Sequence, residues 1–103
     1  VRRIKVVQVA RSIFQQRESL TALELTQSSI GEEGARIISK NTTWINLTTL
    51  NLYGNSIRAE GARAISKNTT WTNLTTLNLS LNSIGAEGAS AIKNRWPKAK
   101  IYC

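Results

Sequence analysis

The chain has 103 residues, enough for one core and too few for two. Fourteen Lys and Arg against six Asp and Glu give a formal net charge of +8, and 41% hydrophobic residues is the content of a globular chain. The sequence has no His, which excludes Ser-His-Asp and Cys-His catalysis and any His-ligated metal, and its single Cys excludes an internal disulfide or thiolate cluster. No cofactor and no metal are therefore expected. No apolar run approaches the roughly 20 residues that span a bilayer, and no signal-peptide core follows Val1-Arg2-Arg3-Ile4-Lys5. A cytoplasmic location is the expectation.

In chain order, Val6, Val9, Ala10, Ile13 and Phe14 form an apolar stripe at helical spacing, with Arg2, Arg3, Lys5, Arg11 and Arg17 mostly off it. The spacing predicts a helix over 4–17, within a capping segment 1–19 that covers the next turn of chain. It also looks like the helix half of an earlier, degraded unit, which suggests a piece of a longer array.

A repeat follows. Residues 41–65 and 68–92, offset by 27, agree at 20 of 25 positions. They differ at Ile45/Thr72, Tyr53/Ser80, Gly54/Leu81, Arg58/Gly85 and Arg63/Ser90. A weaker copy precedes them: Leu20-Thr21-Ala22-Leu23-Glu24-Leu25 answers Leu47-Thr48-Thr49-Leu50-Asn51-Leu52 and Leu74-Thr75-Thr76-Leu77-Asn78-Leu79. Ile30, Ile57 and Ile84 share a slot, as do Glu33-Gly34-Ala35, Glu60-Gly61-Ala62 and Glu87-Gly88-Ala89. Each unit opens with the alternation of a strand, then changes to helical spacing with small residues. A unit of 27 residues cannot bury its own apolar face, so the copies must stack. The expected units are 20–46, 47–73 and 74–97 in a single domain, 1–103.

Leu47-Thr48-Thr49-Leu50-Asn51-Leu52-Tyr53-Gly54-Asn55-Ser56-Ile57 resembles the leucine-rich repeat pattern L-x-x-L-x-L-x-x-N-x-I. With Ala59-Glu60-Gly61-Ala62-Arg63-Ala64-Ile65 behind it, the unit is similar to the helix-containing repeats of ribonuclease inhibitor, the Ran GTPase-activating protein and NOD-like receptors. The resemblance covers roughly residues 9–103. It implies an α/β fold: a short right-handed solenoid with about four parallel strands on the concave side and helices on the convex side. The family's asparagine bonds backbone groups of adjacent turns. Ser28 replaces it in the first copy, so a looser first turn is expected.

At the downstream end the third helix, near Ala86–Asn94, is expected to be shortened, with Trp96-Pro97 stopping it. Residues 98–103 alternate and read as a closing strand, with Lys100 and Tyr102 outward and Ile101 and Cys103 inward. Cys103 is thus expected as a small buried residue in a Leu-like slot. Trp44 and Trp71, one repeat apart, are expected to stack in the core, and Trp96 to plug the end of the stack.

The outward face of the sheet is expected to carry Ala22, Glu24 and Thr26, then Thr49, Asn51 and Tyr53, then Thr76, Asn78 and Ser80. Two differences between the close copies fall at its lip, Tyr53/Ser80 and Gly54/Leu81. Tyr is enriched at interface hot spots, which makes Tyr53 and Leu81 the leading contact candidates. Gly31-Glu32-Glu33-Gly34 lacks the Lys-Ser/Thr of a phosphate loop and recurs, so it reads as scaffold, with Glu at each helix start where the dipole favours it. The N-x-Thr sequons at Asn41, Asn46, Asn68 and Asn73 recur in register and read as products of duplication. Net charge is +5 over 1–17, −1 over 18–92 and +4 over 93–103.

The resemblance implies a noncatalytic module that binds a partner protein through the concave face. A Ran-activating role is disfavoured, because no matching catalytic surface can be placed. The alternative is electrostatic binding of nucleic acid or anionic membrane through the basic ends, by Arg2, Arg3, Lys5, Lys98 and Lys100. Self-association through the array ends is a third outcome.

Overall fold

The computed structural model describes residues 20–103; the helix expected over 4–17 lies outside them, as do Arg2, Arg3 and Lys5. Four short strands alternate with three helices: β1 (Ala22–Glu24), α1 (Gly31–Ser39), β2 (Thr49–Asn51), α2 (Arg58–Ser66), β3 (Thr76–Asn78), α3 (Gly85–Arg95) and β4 (Lys100–Tyr102). The sheet is parallel throughout, in chain order β1-β2-β3-β4. Its register is the sequence repeat made spatial: Leu23, Leu50, Leu77 and Ile101 are lateral partners.

The core lies between the sheet and the helix layer. Leu23, Leu50 and Leu77 point into it, joined by Leu25, Leu52 and Leu79 and by Ile30, Ile57 and Ile84. From the other side come Ala35, Ile38, Ala62, Ile65 and Ile92. Strands pair about 4.8 Å apart, whereas packed helices need about 8–10 Å. The mismatch curves the stack with the strands on the inside. Small residues keep the helix spacing near its minimum. A Cβ on Gly61 would lie 3.1 Å from Ala35 Cβ, and one on Gly88 would lie 3.2 Å from Ala62 Cβ.

The three tryptophans form a buried column. Trp44 and Trp71 rings are 6.0 Å apart and 9° from parallel; Trp71 and Trp96 are 6.3 Å apart at 21°. Trp71 Nε1 donates to Asn41 Oδ1 at 3.3 Å and Trp96 Nε1 to Trp71 O at 2.9 Å, so these indoles are satisfied inside the core.

Two asparagine ladders hold the turns. In the first, Asn55 Oδ1 accepts the Ser28 and Ile30 amides, and Asn82 Oδ1 accepts those of Asn55 and Ile57. Asn55 Nδ2 donates to Leu25 O and Leu52 O, and Asn82 Nδ2 to Leu52 O. Each asparagine therefore ties the turn before to its own, where Asn55 Nδ2 also reaches Tyr53 O and Asn82 Nδ2 reaches Ser80 O. In the first turn Ser28 makes one bond of this kind, its Oγ donating to Thr26 O at 3.2 Å, while Asn55 accepts the Ser28 and Ile30 amides there.

The second ladder runs through two of the sequon positions. Asn41 Oδ1 accepts the amides of Thr43 and Trp44, and Asn68 Oδ1 those of Thr70 and Trp71. Asn68 Nδ2 donates to Asn41 O, and Arg95 Nε, in the same slot of the third unit, donates to Asn68 O. Asn41 and Asn68 are buried in this role, so their amides are structural rather than sites for glycan.

The end of the chain brings two corrections. Helix α3 is not shortened; it has 11 residues against nine in α1 and α2. Arg95 stands where Asn41 and Asn68 turn the chain out of the helix, so α3 continues to the Trp96-Pro97 stop. Cys103 is exposed rather than buried. The last ladder bond there, Leu79 N to Tyr102 O at 2.6 Å, reaches only Tyr102, and β4 has a neighbour on one side alone. Ile101 is accordingly half-buried where Leu77 is fully buried, and Cys103 lies one residue beyond the strand.

Candidate functional site

The exposed sheet face assembles most of the residues expected there. Lateral pairing gives two rows, Ala22–Thr49–Thr76–Lys100 and Glu24–Asn51–Asn78–Tyr102. Strand spacing puts successive members about 5 Å apart. Lys100 therefore belongs to this face, separate from Lys98, which sits in the turn before β4. The face carries one carboxylate at one edge, Glu24, and one ammonium at the other, Lys100.

The middle of the face is rigid. Asn51 Oδ1 accepts the Tyr53 amide at 3.1 Å and Asn78 Oδ1 the Ser80 amide at 2.9 Å. Each carboxamide is thus held through its oxygen, and its two N–H donors take no part in that bond. The threonines beside them are half-buried and lie in register.

The lip is more apolar than the face. Leu81 is 71% exposed and Tyr102 is 48% exposed, among the few large hydrophobic side chains that the described residues leave in solvent. Tyr53 is half-buried and holds its place through its carbonyl, which accepts the Gln27 amide at 2.8 Å. Thr26, also expected on this face, is exposed beyond the end of β1. Tyr102 is outward-facing as expected, and its place in the exposed sheet face follows from the register with Asn78.

The turns that carry the lip are built from left-handed residues at alternate positions. Gln27, Ser29 and Gly31 have positive φ, as do Gly54, Ser56 and Arg58, and Leu81, Ser83 and Gly85. This alternation aims the intervening amides at one point, where the asparagine oxygen sits. Sequence recurrence marks these positions without revealing their conformation, since only Gly31, Gly54 and Gly85 carry the usual signal for positive φ.

The carboxylates of the helix layer are paired with arginines. Glu32, Glu33, Glu60 and Glu87 occupy first turns of helices. Arg36 pairs with Glu32 and Glu33 at 3.5 Å each, and Arg63 bridges Glu60 and Glu87. Among the described residues no group of His, Cys, Asp and Glu is placed to hold a metal ion, and no helix is long and apolar enough to cross a membrane.

The parallel sheet, the 27-residue period and the asparagine ladder are consistent with a short leucine-rich repeat solenoid. The family model described as Leucine Rich repeat matches twice, at residues 45–66 and 72–93, and supports a leucine-rich repeat protein. Domains of this kind generally mediate protein–protein interaction and are generally not enzymes. No curated protein matched the chain.

Proposed function

We propose that the protein is a noncatalytic recognition module that binds a partner protein through the concave sheet face and its lip. The observation that carries this reading is the contrast between the fixed polar rows of Thr49, Asn51, Thr76 and Asn78 and the exposed Leu81 and Tyr102 beside them. A rigid donor array loses little conformational entropy on binding, and an apolar lip supplies the desolvation that polar rows lack. Tyr53 and Ser80 lie between the two, and Glu24 marks the far edge.

The test is capture from a cell lysate at physiological salt, in nuclease-treated and untreated halves, with Tyr53→Ala and Leu81→Ala beside the unmodified chain. The expected outcome is a discrete protein that survives nuclease and is lost from both variants. Capture that disappears with nuclease, or that both variants retain, overturns the reading. The first of these results would move the function to the basic ends, Arg2, Arg3, Lys5, Lys98 and Lys100.

A further inference from the structure

A second surface lies on the opposite, helical side. The net charge of −1 over residues 18–92 conceals a separation in space. The carboxylates stand at the helix N-termini, while Arg36 lies in the last turn of α1 with Lys40 capping it, and Arg63 in the last turn of α2 with Lys67 capping it. Between these ends runs a groove of about 400 Å³ lined by Arg36, Ser39, Lys40, Glu60, Arg63, Ala64 and Lys67. Arg36 and Lys40 are one helical turn apart, about 6 Å, as are Arg63 and Lys67. The two helices pack at about 8–10 Å, so the pair on α1 lies about that far from the pair on α2.

The two arginines are occupied by carboxylates of the helix layer, and Glu60 is occupied by Arg63. Lys40 and Lys67 are exposed, and among the described residues neither has a carboxylate partner. The groove therefore holds two unneutralised ammonium groups, one repeat apart, next to guanidinium groups already set in place.

We propose that this groove binds a short acidic peptide segment, with carboxylates bridging Lys40 and Lys67. Two observations favour that occupant over a nucleic acid backbone. The paired arrangement does not recur, because α3 has Ser90 and Asn94 in the corresponding slots, and its last turn offers Lys93 beside Arg95, which is bonded to Asn68 O and lies over Trp96. The lining also has no aromatic side chain on which a base could stack. Across the two helices Lys40 and Lys67 are about 8–10 Å apart, a gap that glutamates two residues apart on an extended segment, about 7 Å, can bridge through their flexible side chains.

Fluorescence anisotropy with labelled octaglutamate at low and physiological salt tests this, with oligothymidylate of equal length as the competitor class. The double variant Lys40→Gln/Lys67→Gln is expected to weaken octaglutamate binding about fivefold, as two exposed ion pairs would. Lys93→Gln/Lys98→Gln, with the same net charge but outside the groove, is expected to change it less than about twofold. Tyr53→Ala should leave it unaltered. Circular dichroism melts confirm that each variant is folded, and Lys67→Gln alone repeats the test if the pair is not. Equal losses from the two double variants, an absence of octaglutamate binding, or tighter oligothymidylate binding through the same lysines would each overturn the proposal.

Discussion

The second and third units are nearly the same sequence, and the structure separates what they share from what they do not. Framework positions that are identical largely do the same work in both: Leu50 and Leu77, and Asn55 and Asn82, are buried and meet equivalent partners, and Trp44 and Trp71 are both buried. None of the five differing pairs includes a buried residue. Two of those pairs exchange a glycine. Unit two has Gly54 and Arg58 at its left-handed positions, with φ of 68° and 64°; unit three has Leu81 and Gly85, with φ of 56° and 70°. Each copy thus keeps one unstrained left-handed residue and carries one with a side chain. Drift between copies has been tolerated where it costs about 1 kcal/mol and refused where it would open the core.

The asparagine ladder is where breaking the equivalence should matter most. Asn55→Ala removes the acceptor for Ser28 and Ile30 and the donor to Leu25 O and Leu52 O, all in a residue that is 1% exposed. The expected loss is at least about 3 kcal/mol, measured by urea unfolding followed through tryptophan emission. Asn82→Ala should cost a similar amount but act one unit downstream, on the turn of Asn55 and Ile57. Hydrogen exchange should show the two variants opening different turns, each the one before the substituted residue. Unchanged exchange at Ser28 and Ile30 in the first variant, or at Asn55 and Ile57 in the second, would contradict the ladder.

That direction was not legible in the sequence. The recurrence of Asn55 and Asn82, and of the leucines, identifies the slots, because a buried face and a fixed period leave few alternatives. It does not say on which neighbour a side chain acts. The same gap hid the role of Asn41 and Asn68, whose Asn-Thr-Thr context reads as a sequon while their burial and bonds are those of a turn. The length of α3 was misread because Arg95 does not look like a residue that takes an asparagine's place. On the sheet, strict alternation made Asn51, Asn78 and their threonines readable as outward. The helical groove was hidden because a summed charge discards position.

Small residues in the helix layer offer a finer contrast. A Cβ at Gly61 would meet Ile57 Cγ2 at 2.5 Å, whereas one at Gly88 meets nothing closer than Ile84 Cβ at 3.0 Å. Alanine gains about 1 kcal/mol of helix propensity at either position. Gly61→Ala is therefore expected to be destabilising by about 1–2 kcal/mol net, since Ile57 is fully buried and cannot move aside, while Gly88→Ala stays within about 0.5 kcal/mol. Thermal unfolding of the two variants, side by side, measures the difference. Equal costs would mean that the Ile57 side chain yields to the added methyl as readily as Ile84 does.

The exchanged glycines predict gains. Arg58→Gly and Leu81→Gly each place glycine at a position already left-handed, in a slot that the other copy fills with glycine. Relief of about 1–2 kcal/mol of backbone strain, less the entropy that glycine adds to the unfolded chain, leaves a stabilisation of about 0.5–1 kcal/mol. Their effects on binding should diverge. Arg58→Gly touches neither proposed surface, whereas Leu81→Gly removes the largest exposed apolar side chain of the lip and should lose the captured partner despite a higher melting temperature.

The smallest effect belongs to the fifth pair, Arg63/Ser90. Arg63 joins Glu60 of its own helix to Glu87 of the next, and Ser90 has no charge with which to extend the chain of pairs. Arg63→Ser makes the second unit resemble the third. The Arg63 side chain is 37% exposed and the Glu87 side chain 78%, so solvent screens most of the attraction. The expected cost is about 0.5–1 kcal/mol in low salt, shrinking toward zero near 1 M as the Debye length falls to about 3 Å. A cost that persisted at high salt would assign to packing of the arginine stem what is here assigned to charge. Glu87 would then be a bystander, and Glu87→Gln, which keeps that stem in place, would leave stability unchanged.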